Sequence, residues 1–283
     1  MDDLFHILYN FIGAALPFEW IAHDFMKRAL LASILIAPMA AAMGIHVINF
    51  RMSFFSDAIS HSAFTGVALG IIIGINPVLT MVMFGLVVGG VIVKIRKKSE
   101  LSIDTIIGVA FSTSVALGIV IISARRSLTK NLHSFVYGDV LAVRETELLL
   151  IFLLAVLVLL FTIFIYNRLV LMAINEQVAK TNGINTILCE YAFSVLLTLV
   201  ICMSIRVVGI LLVTALVIVP AAVGRTLSYN VGQLFWYSTI TALTASISGL
   251  ILSYYWDTAT GATIVLICAI FFFTAQFYKT FQK

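Results

Sequence analysis

The chain has 283 residues, 62% of them hydrophobic and only 11% charged, with a formal net charge of +4 and a mean hydropathy of +1.13. Soluble globular chains carry about 25% charged residues, so this composition excludes a soluble domain and indicates an integral membrane protein. Stretches near the ~20 apolar residues needed to cross a bilayer recur along it, which favours helical spans over the alternating strands of a barrel; the expected fold is an all-α integral membrane protein, a polytopic bundle of about eight or nine transmembrane helices.

Residues 1–24 contain Asp2, Asp3, Pro17, Glu19 and His23. They are expected to form an interfacial or marginally inserted segment rather than a cleaved leader. Residues 25–283 are expected to form a single transmembrane domain. Apolar segments follow at roughly 25–48, 57–73, 78–95, 104–124, 148–167, 190–205, 207–224, 232–255 and 261–279. Pro38 inside the first of them is expected to kink its helix.

Lys and Arg in short loops mark the cytoplasmic side. With Lys94 to Glu100 ("KIRKKSE") inside, alternation also places inside the turn at Arg51, the loop 168–185, Arg225, Lys279 and Lys283. The loop carrying Arg125, Arg126, Lys130 and Arg144 then falls outside, its charge partly offset by Asp139, Glu145 and Glu147. Within the loop after Arg168, the spacing predicts a short cytoplasmic helix around Asn175 to Thr181. Asn182 and Gly183 end it, because Gly accepts the left-handed conformation of a helix C-terminus.

The second apolar segment opens with "SFFSDAISHSAFTGVALG". Asp57 and His61 are at i and i+4, so a helix projects both from one face. A helix cap at Asp57 and a hydrogen-bonded His61 account for such a pair, but polar groups inside a membrane usually mark an ion or substrate pathway. The same helix carries Ala58, Ser62, Gly66, Gly70 and Gly74 at spacing four, a stripe of small residues that lets a neighbouring helix approach closely.

An imidazole and a carboxylate suit Zn²⁺, Mn²⁺ or Fe²⁺, and the absence of thiolate disfavours copper(I). Two ligands are fewer than the four of a structural zinc site, which fits a site that must release its ion; a two-fold dimer with this helix on its axis would double them. His46 is a further candidate metal contact. Asp104 and Glu190 each open a span and are read as helix-terminal carboxylates, and Asp257 as a turn residue that starts the following helix. Cys189, Cys202 and Cys268 form no CxxC pair and are read as packing residues. The chain has no GxxxxGK[ST] phosphate loop, no HExxH and no GxSxG, so neither ATP binding of that kind nor hydrolase chemistry is expected.

"RMSFFSDAISHSAFTGVALG" resembles the early signature of the ABC-3 class of membrane permeases, which serve bacterial importers of zinc, manganese and iron. "LSIDTIIGVAFSTSVALGIVIIS" (Leu101 to Ser123), "FVYGDVLAV" (Phe135 to Val143), "VVGILLVTALVIVPAAVGR" (Val207 to Arg225) and "WDTATGATIVL" (Trp256 to Leu266) continue the likeness in order. The zinc permeases are the most similar class.

The resemblance implies a homodimeric permease in the bacterial cytoplasmic membrane, surrounded by lipid. It implies two copies of a cytoplasmic ATPase subunit and an extracytoplasmic metal-binding protein as partners, and no nucleic acid. It places the metal contacts on Asp57 and His61. It places the ATPase-coupling helix on Asn175 to Asn185, with Asn175, Glu176, Gln177, Ala179, Asn182 and Gly183. No permanently bound cofactor is implied; Zn²⁺, Mn²⁺ or Fe²⁺ is the cargo. The expected function is uptake of a divalent metal driven by ATP hydrolysis in a partner chain, so the chain itself is not expected to be an enzyme. A proton-coupled metal transporter without an ATPase, with Asp57 or Glu190 as proton carrier, is the alternative.

Overall fold

A computed structural model describes Tyr9, residues 19–124 and residues 144–282, excluding the side chains of residues 206–208 and 211–212. Most of the N-terminal segment 1–24, the "FVYGDVLAV" motif and the charges at Arg125, Arg126, Lys130 and Asp139 lie outside the described residues.

Among the described residues, a 3₁₀ turn at Glu19–Ile21 leads into ten α-helices: α1 (Asp24–Asn49), α2 (Phe54–Ile73), α3 (Pro77–Lys98), α4 (Ile103–Ala124), α5 (Glu145–Ile174), α6 (Glu176–Thr181), α7 (Thr186–Val208), α8 (Ile210–Leu227), α9 (Val231–Trp256) and α10 (Thr260–Phe281). Eight are long and apolar enough to cross a membrane, and α8 is a shorter apolar helix. Each apolar segment read from the sequence falls on one of these nine.

Polar caps set the starts of several helices, one residue before the apolar run in three of them and four before it in α7. Asn76 accepts from the Val78 N–H, Ser102 from the Thr105 N–H, Asn185 from the Leu188 N–H and Asn230 from the Gln233 N–H, which satisfies donors that have no partner inside the helix. α5 runs through Arg168 to Ile174, so Arg168 sits in a helix and the following connection is shorter than expected. Asp257 ends α9 with φ 50° instead of starting α10.

α2 packs on α3 and α4, α3 packs on α7, and α8, α9 and α10 pack on one another with α1 against α8 and α9. Small residues set the close crossings. A Cβ on Gly44 of α1 would lie 1.9 Å from the Val217 carbonyl oxygen of α8, which only a glycine permits. The outward side of α5 is apolar, with Leu153, Leu159, Ile163 and Phe164 exposed, as a surface in contact with lipid tails requires.

Most of the described basic residues gather at one end, with Lys27, Arg28 and Arg144 at the other. Arg225 Nη1 donates to Asn49 Oδ1 at 3.3 Å and Lys279 Nζ to the Thr226 carbonyl at 2.6 Å. Arg51, Arg225 and Ile174 line one recess, and α6 follows directly on Ile174. Positive charge marks this end as cytoplasmic.

Candidate functional site

The residues "SFFSDAISH" become the first two turns of α2. Ser53 occupies the position before the helix and makes no side-chain cap bond, while Asp57 lies in the first helical turn. Asp57 is therefore not the cap, although a carboxylate there is favoured by the helix dipole. Asp57 and His61 are both half-buried and line one cleft of about 410 Å³ together with Phe54, Asp104, Ile107, Gly108 and Phe111. The cleft lies between α2 and the start of α4, in the cytoplasmic half of the bundle.

Its walls are largely aromatic and aliphatic, with two carboxylates and an imidazole set into them. The Phe111 ring meets the His61 ring edge to face, centroids 4.9 Å apart at 85°. One turn further along α2 the helices close up: the Ser62 and Ser114 hydroxyls are 2.9 Å apart, and Thr65 Oγ1 donates to the Ser114 carbonyl at 2.7 Å. A Cβ on Gly118 would lie 2.5 Å from Thr65 Oγ1. The seam leaves no room for an ion beside Thr65.

Asp104 lies in the first turn of α4, as expected from the sequence, and it also lines the cleft, which sequence reasoning missed. Ser102 supplies the side-chain cap of α4, and Ser is among the strongest N-caps. Glu190 was misread: Asn185 caps α7, the first turn of α7 holds no acidic residue, and Glu190, with its side chain 5% exposed, pairs with Arg96 and with Lys97 Nζ at 2.6 Å. Among the described residues no three His, Cys, Asp or Glu side chains are grouped closely enough to hold one metal ion.

His46 is not on the cleft. It is buried, its ring set against Tyr166 at 5.0 Å and Phe193 at 5.9 Å, and its Nδ1 makes no hydrogen bond among the described residues. The small-residue stripe divides between two neighbours. Ser62 faces α4. Gly66 and Gly70 face α3, where an added Cβ would come within 2.7 Å of the Thr80 carbonyl and 2.1 Å of Thr80 Oγ1. Gly74 has no neighbour within 4 Å and φ 77°; it ends α2 in the left-handed conformation and is not a packing residue.

At the cytoplasmic end, Asn175 Oδ1 accepts from the Gln177 and Val178 N–H groups and so starts α6. Gly183, at φ 76°, ends it. Asn182 Nδ2 donates to the Val178 carbonyl at 2.8 Å. Ala179 is fully buried against the bundle, while Gln177, Val178 and Asn182 face outward. Glu176 Oε1 receives Lys180 at 2.9 Å and Lys97 at 3.1 Å. The two ammonium groups, Lys180 foremost, hold the Glu176 carboxyl down at about 2 against the opposing effect of partial burial.

A bundle of membrane-length helices with a polar cleft between two of them, and a short capped helix held against its basic end, defines a polytopic membrane permease. Residues 22–279 match the ABC 3 transport family. The chain is 32% identical over 256 residues to the high-affinity zinc uptake system membrane protein ZnuB of Haemophilus influenzae, covering 90% of this chain and 98% of that one. It is 34% identical over 263 residues to the manganese import system permease protein ScaB of Streptococcus gordonii, covering 92% and 94%. The solved structure of PsaBC from Streptococcus pneumoniae in complex with Fab superposes with a TM-score of 0.78 at 31% identity, covering 95% of each chain. The chain belongs to the ABC 3 transport family and is a multi-pass membrane protein.

Proposed function

We propose that this chain is the membrane subunit of a binding-protein-dependent importer that carries a divalent transition metal ion, zinc foremost and manganese or iron as further cargo, into the bacterial cytoplasm. The observation that carries the reading is the placing of Asp57 and His61, one turn apart on α2, in a single cleft with Asp104 across from them. An imidazole nitrogen with carboxylate oxygens is a donor set for such ions. Two relatives named for zinc and manganese transport support the class of cargo.

One chain supplies too few ligands for tight binding, which suits release. A second copy packed along this face would bring two Asp57 and His61 pairs together. ATP hydrolysis belongs to a separate cytoplasmic subunit, and α6 with its outward face of Gln177, Val178 and Asn182 is the helix it grips. A soluble metal-binding protein delivers the ion from outside. In transport the ion leaves water for the cleft, where Asp57 supplies negative charge and His61 a neutral nitrogen. Movement of α2 against α4 at the Thr65 and Ser114 seam then changes which side the cleft faces.

The test is reconstitution with the ATPase and the binding protein in liposomes, offering zinc, manganese and iron in competition. ATP-dependent uptake that collapses in Asp57→Ala and His61→Ala is the expected result. Uptake driven by a pH gradient without ATP would instead establish the proton-coupled alternative. Glu190, one of its two proton-carrier candidates, is held between two cations at the end of α3.

A further inference from the structure

We propose that Lys97, with Arg96, Glu190 and Glu176, is the joint that transmits movement of α6 to α3 and through it to α2, which forms one wall of the cleft. This rests on the reading of α6 as the helix gripped by the ATPase. Lys97 Nζ stands between two carboxylates, 3.1 Å from Glu176 on α6 and 2.6 Å from Glu190 on α7, and Arg96 closes the cluster onto Glu190. Thr186 Oγ1, at the start of α7, donates to Glu176 at 3.4 Å. The consecutive helices α6 and α7 thus meet the last turn of α3, 79 to 94 residues earlier in the chain.

From that turn upward α3 packs on α7 and on α2. About two and three turns along α3 from Lys97, Gly89 and Gly85 admit Thr198 and Ser194 of α7 and Ile59 of α2. A Cβ on Gly89 would lie 3.0 Å from Thr198 Oγ1 and 3.4 Å from Ile59 Cδ1. Ile59 is fully buried and lies between Asp57 and His61 on α2. Further along, Gly66 and Gly70 clamp α2 to α3 at Thr80. A displacement of α6 that pulls on Lys97 therefore moves α3, and α3 carries the turn of α2 that holds the cleft residues. Close-packed interiors transmit displacement because they have little free volume to absorb it.

Removing one partner of a buried ion pair is destabilising when it strands the other charge, so a variant that tests the joint must leave every carboxylate with a partner. Lys97→Met meets that condition. It leaves Glu190 paired with Arg96 and Glu176 paired with Lys180, so no carboxylate is stranded, while the bridge from α6 to α3 is cut.

The experiment uses the complete complex with ATPase and binding protein in liposomes, supplied with zinc or with manganese. It measures retained ATPase subunits, ATP hydrolysed and metal accumulated. In Lys97→Met the ATPase subunits stay bound and hydrolysis stays within about twofold of the unmodified complex, while metal taken up per ATP falls about tenfold, within the usual span of coupling between sites. Lys97→Arg, which keeps the charge, restores the ratio. The joint is ruled out by an unchanged ratio, or by a loss of hydrolysis and uptake that simply follows loss of ATPase subunits. If the unmodified complex itself retains no ATPase, the reading of α6 fails first, and this outcome is seen before any variant is made.

Discussion

The rings of His61 and Phe111 meet edge to face across the cleft between α2 and α4, centroids 4.9 Å apart. The ring contact limits how far the imidazole turns in the cleft that His61 lines with Asp57 and Asp104. Losing a residue that merely orients a metal ligand costs about 10- to 100-fold in affinity or activity. Phe111→Ala is expected to weaken metal uptake by about tenfold, within that range, and His61→Ala or Asp57→Ala by more, each read as initial uptake rate in the reconstituted complex. Equal rates in all three variants contradict the site.

Asp104→Asn separates the two readings of that carboxylate. Ser102 already caps α4, so the substitution should leave thermal unfolding within about 0.5 kcal/mol of the original, the usual range for a surface change, while the metal concentration for half-maximal uptake rises. A fall in melting temperature with unchanged uptake would return Asp104 to a structural role.

Uptake should decline as the medium is made acid. Protons compete with the metal for the imidazole and the carboxylates, so the half-maximal metal concentration rises while the maximal rate changes less. Initial rates taken across a pH series with the ATPase held at constant internal pH distinguish this from inhibition of ATP hydrolysis.

Glu176 adds an acid-sensitive contribution to stability. Its carboxyl is lowered from 4.5 to about 2, so the folded state binds fewer protons than the unfolded one. The stabilisation is complete at pH values above 4.5 and is lost as the pH falls through about 2. Thermal unfolding of the detergent-solubilised protein and of Glu176→Gln should differ near neutral pH and converge toward the acid end; parallel curves would show that the pairs contribute nothing.

Gly66→Val is expected to force α2 from α3. Even the first carbon of a side chain there would lie 2.7 Å from the Thr80 carbonyl oxygen, and overpacking a tight site costs about 1–3 kcal/mol. Gly74→Ala meets no neighbour but places a Cβ at φ 77°, a cost of roughly 1–2 kcal/mol. Melting temperatures should fall in both, while only Gly66→Val disturbs the cleft and so depresses uptake beyond its effect on stability.

The membrane class, the count of spans and the short helix at Glu176 were legible in the chain alone, because each follows from local physics. Twenty apolar residues cross a bilayer wherever they occur, and Asn175 and Gly183 bound a helix by hydrogen bonds within a few residues. The pairing of Asp57 with His61 on one face was legible for the same reason, since a helical period alone sets it.

What lies opposite that face was decided by tertiary structure. Nothing local in "LSID" tells that α4 brings Asp104 to α2. His46 is near Asp57 in sequence, yet a helix-to-helix turn sends it to a separate packing site beside Tyr166 and Phe193. Glu190 reads as an isolated carboxylate until α3 delivers Arg96 and Lys97 to it across 94 residues of chain. Periodicity reports which side of a helix is polar or small; only the packing of distant helices determines which partner that side meets.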